Sequence, residues 1–386
     1  MTAAVPSKLK NLKKRRMLVI SAGGIQSGIQ VLFLGLQGSK WEIFSKSFLP
    51  YPQKVGSLIE QLNENQQPIK LSDLGWLEYK ITMLLLECAR TALAQAPKSV
   101  GTPHLAVLNK PTLWKGATGE NLQQSSWNLT IGDEQFIASS LSIPVLTDFI
   151  RHNILAGGPG VLPTFPGSLY IAAPTSGIGL FANIGLVSRM TIIDKSSSAL
   201  LLESDTGPGT FLIDKCAKDA ACPDGFDRDG KLSSQGLVNT ECLEELAKDS
   251  WLLIPSPKQA SPDIFLPLLA HPCLSDLSIV DKLATITALS AKSIYDFFRR
   301  EYTINLSPEA LWVSGGGSNN LSLMEFLGAY FDPIPVHSIE ELNVPADMKV
   351  PLELGLTVNE YLSGNKVPWE SGNHPRMEPL ARWILP

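Results

Sequence analysis

The chain has 386 residues, of which 44% are hydrophobic and 18% charged, with a formal net charge of −5. That balance fits a globular protein with two domains and a large core, and it excludes nucleic acid as the main partner. Apolar stretches such as Ile81 to Leu86 are far short of a membrane span, so the expectation is a cytoplasmic protein without membrane contact.

The N-terminus is basic through Lys8, Lys10, Lys13, Lys14, Arg15 and Arg16. Charge runs are usually solvated, so residues 1–16 read as a disordered tail rather than as a tether to an anionic surface. Met17 to Ile20 reads as a buried strand broken by Gly23 and Gly24, with Val31 to Leu36 as its hairpin partner and Trp41 to Phe48 as a third strand. Leu74, Leu77, Ile81, Leu84, Leu85 and Cys88 recur at helical spacing within Leu71 to Ala96. Lys115 to Ser126 reads as a surface loop. Trp127 to Ile131 and Ile143 to Phe149 read as strands, and Ala156 to Gly160 as a tight loop.

A second run of three strands follows: Gly179 to Ile184, Arg189 to Asp194 and Ala199 to Ser204. Asp205-Thr206-Gly207-Pro208-Gly209-Thr210 comes next and opens a helix. Leu277 to Arg300 is a long amphipathic helix. Ala310 to Ser314 is a buried strand ending in Gly315-Gly316-Gly317, and helices follow over Leu321 to Tyr330 and Leu352 to Leu362. A strand, a glycine-rich turn and a helix thus recur, which predicts two related α/β domains facing a cleft. The five cysteines, Cys88, Cys216, Cys222, Cys242 and Cys273, match no zinc spacing and read as reduced thiols. Cys216 and Cys222 are the pair expected to join in an oxidising compartment. No metal site is expected from the cysteines.

Two segments carry chemistry. In Asp205 to Thr210 the glycines Gly207 and Gly209 let backbone N–H groups converge on a phosphate at a helix start, and Asp205 could orient a metal-bound water. The bland reading is a turn that needs glycine for its shape. Gly315-Gly316-Gly317 lets a flat ring or ribose approach the backbone, with Asn319 or Asn320 capping the next helix.

These motifs and their order resemble the anhydro-N-acetylmuramic acid kinase family. The matches are Ile131-Gly132-Asp133, Ile143-Pro144-Val145, Asp148-Phe149, Asn183-Ile184-Gly185, Asp205 to Gly209, Asp227-Arg228-Asp229-Gly230, Gly315 to Gly317 with Asn320, and Pro345 to Lys349. The resemblance implies a two-lobed actin- and hexokinase-like (ribonuclease H-like) sugar-kinase fold with an interdomain cleft. The expected lobes are 17–145, completed by 368–386, and 146–367. It further implies that ATP with Mg2+ phosphorylates the 6-hydroxyl of 1,6-anhydro-N-acetylmuramic acid as water opens the anhydro ring, in cell-wall recycling. An amino sugar and a nucleotide are the implied partners, and a homodimer is compatible with it. The nucleotide and phosphate residues so implied are Gly23, Gly28, Asp205, Gly207, Gly209, Gly315, Gly316 and Gly317.

The chain departs from that pattern at charged positions. Where the family has Ser-Gly-Thr-Ser-x-Asp-Gly-x-Asp, this chain has Ala22 to Gln30, keeping Gly23 and Gly28 but placing Ser27 and Gln30 at the two aspartates. The family's base stands at Asn153, which can hold a water but cannot accept its proton. Asp148 is the candidate substitute base, and His152 a weaker one, since on a strand it would point away from Asn153. The family's Lys-Glu-Ala appears as Lys349-Val350-Pro351, and its His-Gly-Gln-Thr has no counterpart around Pro103-His104-Leu105-Ala106. The expected activity is therefore the family's kinase reaction with impaired catalysis. The alternative is an inactive sugar- or nucleotide-binding regulatory protein.

Overall fold

A computed structural model describes residues 7–22, 28–63, 70–117, 126–155, 160, 162–171, 177–222, 225–304, 308–365 and 381–386. Two compact units form, one from Met1–Ile171 with Val350–Pro386 and the other from Ala172–Lys349. In chain order the strands are β1 (Arg15–Ala22), β2 (Ile29–Gln37), β3 (Lys40–Leu49), β4 (Leu105–Asn109), β5 (Thr112–Ala117), β6 (Ser126–Thr130) and β7 (Val145–Thr147) of the first unit. The second unit supplies β8 (Ile178–Ile184), β9 (Ser188–Asp194), β10 (Ala199–Gly207), β11 (Leu311–Ser314) and β12 (Val336–Ser338), and the chain returns to the first with β13 (Arg382–Ile384).

The two main sheets follow one plan. In the first, β1, β2 and β3 form an antiparallel meander, and β4 and β7 join parallel on the other side of β1. In the second, β8, β9 and β10 form the meander, and β11 and β12 join parallel beyond β8. The order is β13-β7-β4-β1-β2-β3 in one and β10-β9-β8-β11-β12 in the other. The recurrence read from the sequence is therefore a real duplication. Loops at the carboxyl ends of the parallel strands gather at one edge of each sheet, where α/β folds carry their sites.

Burial explains the helices. The Leu71–Gln95 helix buries Leu77, Ile81, Leu84, Leu85, Cys88 and Ala92, one stripe at 3.6-residue spacing, against the first sheet. The Ile279–Glu301 helix does the same for the second, burying Leu283, Ile286, Leu289, Ile294 and Phe297. Each such side chain contributes about 1.5–3 kcal/mol by leaving water.

Three expectations are corrected. The chain crosses between units at 171/172 and 349/350, not near 145 and 367. The Phe165–Ile171 and Lys349–Leu362 helices pack in the first unit: Gly167 leaves no room for a Cβ against the Glu353 backbone, and Gly355 lies on Leu34 and Val19. The basic segment is ordered from Ser7 and β1 begins at Arg15. Arg15 is buried and donates to the carbonyls of Leu9, Lys10 and Leu362 and to the side chains of Asn359 and Ser363, so it is a latch rather than tail. Cys242 and Cys273, with Cα atoms 5.3 Å apart, form a disulfide. Cys216 instead faces the core.

Candidate functional site

In the second unit the predicted glycines converge on the end of β8. Gly209 has φ +52°, and a Cβ there would lie 2.9 Å from both the Leu186 oxygen and the Ser188 nitrogen. The next residue, Thr210, donates its N–H to the Gly185 carbonyl at 2.8 Å, and Ser290 donates to the Gly209 carbonyl at 2.7 Å. Gly315, at φ +84°, would place a Cβ 2.5 Å from the Ile184 oxygen, and Gly317 has no room against the Ile184 side chain. The Gly315 N–H bonds the Ala346 carbonyl at 2.9 Å, which ties in the Pro345 to Lys349 segment. Asn320 caps the Leu321–Phe331 helix through the Leu323 N–H at 3.0 Å. Gly230 is joined to the same cluster by Ser322, whose hydroxyl donates to its carbonyl at 2.9 Å.

Gly207, Gly209, Gly315 and Gly317 are thus all required by packing, Gly207 because the Ser293 side chain fills its Cβ position. Gly316 is different: nothing lies within 4 Å of a Cβ placed there. Packing does not require glycine at this position.

Asp205 is not a turn residue. β10 continues through Gly207, and the helix starts only at Phe211. The Asp205 carboxylate accepts Arg189 Nε at 2.8 Å on one oxygen and the Ala260 N–H at 2.8 Å on the other. Just beyond, Thr210 Oγ1 donates to Asp214 at 3.0 Å. Burial pushes the Asp214 carboxyl up to about 7; Thr210 and Lys218 oppose this and Asp227 adds to it.

In the first unit, Gly23 to Ser27 lie outside the described residues, as do Ala156 to Pro159. Gly28 has φ +56° and abuts the Leu49 carbonyl, where a Cβ would come within 2.7 Å. Gln30 belongs to β2 opposite Ser21. Asn109, the last residue of β4, donates to the Ser21 hydroxyl at 3.2 Å. His104 lies at the opposite, amino end of β4 and accepts the Arg16 N–H at 3.0 Å. The residues at the site edge are therefore Asn109-Lys110-Pro111-Thr112, not Pro103 to Ala106.

The segment carrying Asn153 is a helix, Phe149–Leu155, and not a continuation of β7. Strand alternation therefore does not separate His152 from Asn153. Asp148 turns the chain with φ +65°. Its carbonyl accepts the His152 N–H, and His152 Nδ1 lies 3.0 Å from the same oxygen. The Asp148 carboxylate lies 2.9 Å from Arg382 Nε and 3.5 Å from Lys110 Nζ, and Lys110 also meets Glu134 at 2.7 Å. Lys110, Glu134 and Arg382 escaped the sequence reading because they are far apart in the chain. Asn153 is buried and its Oδ1 accepts the Gly160 N–H at 2.7 Å. One turn beyond Val350 on the same helix, Glu353 is buried and accepts the Ser168 hydroxyl. Among the described residues no three His, Cys, Asp or Glu side chains cluster as a metal site.

Residues 15–364 match the family model for anhydro-N-acetylmuramic acid kinase. A Rhodopseudomonas palustris anhydro-N-acetylmuramic acid kinase is 28% identical over 357 residues, covering 89% of this chain and 92% of its own. One from Caldanaerobacter subterraneus is 25% identical over 390 residues, covering 95% and 97%. The chain belongs to the anhydro-N-acetylmuramic acid kinase family.

Proposed function

We propose that the protein keeps the nucleotide-binding half of the family's kinase and has largely lost the hydrolytic opening of 1,6-anhydro-N-acetylmuramic acid. The observation that carries this is Asn153. It occupies the position of the family's water-activating base, and its side-chain oxygen is already engaged by the Gly160 N–H. An amide orients a water but takes no proton from it. Asp148 is no substitute in this reading, because Arg382 at 2.9 Å and Lys110 at 3.5 Å already engage its carboxylate.

The nucleotide half fits better. ATP, when bound, supplies the phosphoryl group. The exposed backbone at Gly316 suits a ring or ribose, and the Gly185 and Gly209 turns with Thr210 suit phosphates. The residues present do not suit a carboxylate-bound magnesium. Asp205 is consumed by Arg189 and Ala260, and Ser27 and Gln30 are neutral. A reaction that consumes ATP belongs in the cytoplasm.

The test is a coupled ADP-release assay with 1,6-anhydro-N-acetylmuramic acid and magnesium-ATP. Loss of a general base costs about 10²–10⁴-fold, so turnover should fall well below about 1 per second. Turnover at or above that level would sink the reading. ATP affinity by calorimetry should change little when magnesium is added; a large gain would restore the metal site. Sugar and ATP binding without turnover would favour a regulatory, non-catalytic role.

A further inference from the structure

We propose that Thr210 is a phosphate donor of the nucleotide site and that the protonation state of Asp214 decides whether its hydroxyl proton is available. The proposal rests on the nucleotide reading above and assigns a residue pair within it.

A threonine hydroxyl carries one proton. Here it points at Asp214, with Oγ1 3.0 Å from the carboxylate oxygen, and the Thr210 side chain makes no capping bond to its own helix. The Thr210 N–H is spent on the Gly185 carbonyl. Thr210 is half-buried beside Gly209, and Asp214 is buried one turn further in. An ionised carboxylate only accepts, so it holds the hydroxyl proton inward and leaves Thr210 presenting lone pairs to an approaching phosphate. A protonated carboxyl reverses the bond. It donates to Oγ1, and the threonine proton swings outward to serve an anion.

The surroundings set the balance. On the same helix Lys218 favours the ionised form. The following loop brings Asp227, which disfavours it while its own oxygens accept the Leu232 and Ser233 N–H groups at 2.8 and 3.0 Å. The Ile279–Glu301 helix packed alongside contributes Lys282, whose charge is felt at Cys216, and the neutral Ser290. Burial outweighs these, and the carboxyl titrates near neutrality, at about 7. Nucleotide affinity is then higher on the acid side.

The experiment is calorimetric titration with ATP at pH 6 and pH 8 for wild type, Asp214→Asn, Thr210→Val and the double variant. Protonation of ATP itself is common to all four. The amide that Asp214→Asn introduces can donate to Oγ1 from its nitrogen, as the protonated acid does from its oxygen, and carries no charge to hold the threonine proton inward. Asp214→Asn should bind about fivefold more tightly than wild type at pH 8, since one hydrogen bond to a charged group is worth about tenfold and a minor share of wild type is still protonated there, and about equally at pH 6. In the Thr210→Val background the same substitution should change affinity less than about twofold, because the donor is gone. An unchanged pH 8 affinity in Asp214→Asn, or an equal gain in the Thr210→Val background, overturns the proposal while leaving the nucleotide reading standing. Absence of ATP binding at both pH values overturns both. Should Asp214→Asn fail to fold, wild type against Thr210→Val decides: the pH 6 to pH 8 affinity ratio must be about fivefold larger in wild type, and equal ratios overturn the proposal.

Discussion

Asp148 has only 4% of its side chain exposed and faces Lys110 and Arg382 at 3.5 and 2.9 Å. Lys110 and Arg382 both keep Glu134 when the Asp148 charge is removed, so the loss is that of a buried hydrogen-bonding partner, about 1–3 kcal/mol. Asp148→Asn should therefore lower the unfolding free energy by about 1–3 kcal/mol in denaturant titration, with ATP affinity unchanged. Lys258 gives the opposite case. Its ammonium is buried and bonds the carbonyls of Trp251 and Leu252 at 2.9 and 2.8 Å, and burial pulls its pKa down to about 8. Arg300 acts in the same direction, while Glu301, Asp205 and Asp249 oppose it. Because the folded state gives up this proton first, the unfolded state binds more protons between about pH 8 and 10.5, and stability from this residue rises with pH across that window. Melting of wild type and Lys258→Met followed from pH 7.5 to 10.5 should show the rise in the first, with loss of that component in the second.

At the scale of elements, the glycine turns separate into those made by packing and one that is not. Gly209 combines φ +52° with backbone atoms where a Cβ would go. Gly209→Ala should cost at least about 2 kcal/mol through strain and displacement of the Gly185 turn. Gly316 has open space around it. Gly316→Ala should leave stability within about 1 kcal/mol of wild type yet weaken ATP binding several-fold, since the added methyl occupies the face offered to the ligand. Equal destabilisation by the two substitutions, or full ATP affinity in Gly316→Ala, would contradict the distinction.

At the scale of the molecule, two units share one strand plan and, on the proposed reading, carry different amounts of the family's chemistry. The second holds Asn183 to Gly185, Gly209 and Gly315 to Gly317 in one connected cluster, while Ser27, Gln30 and Asn153 of the first are neutral. Groups that act together are not additive. Asn153→Asp alone should raise anhydro-sugar turnover by less than about tenfold, although the Gly160 N–H would accommodate the carboxylate. Ser27→Asp, Gln30→Asp and Asn153→Asp combined should raise it by roughly 10²-fold or more in the ADP-release assay. A full rescue by Asn153→Asp alone would show that the phosphate side was never impaired.

The sequence by itself determined the duplication, the long amphipathic helices and the glycine turns, because these are local: a 3.6-residue stripe or a positive φ is written in neighbouring residues. Tertiary structure decided the rest. β4 is wholly buried in the middle of a sheet and has no alternation to announce it. The Phe149–Leu155 segment is rich in residues that also suit a strand, and only the reversal at Asp148, held by Lys110 and by Arg382 from β13, makes it a helix. The Cys242–Cys273 disulfide and the Arg189–Asp205 pair likewise join residues whose proximity only the fold creates. The carboxylates that sequence offers for catalysis are therefore assigned by their partners: pairing and burial depend on distance in space, and distance along the chain does not encode it.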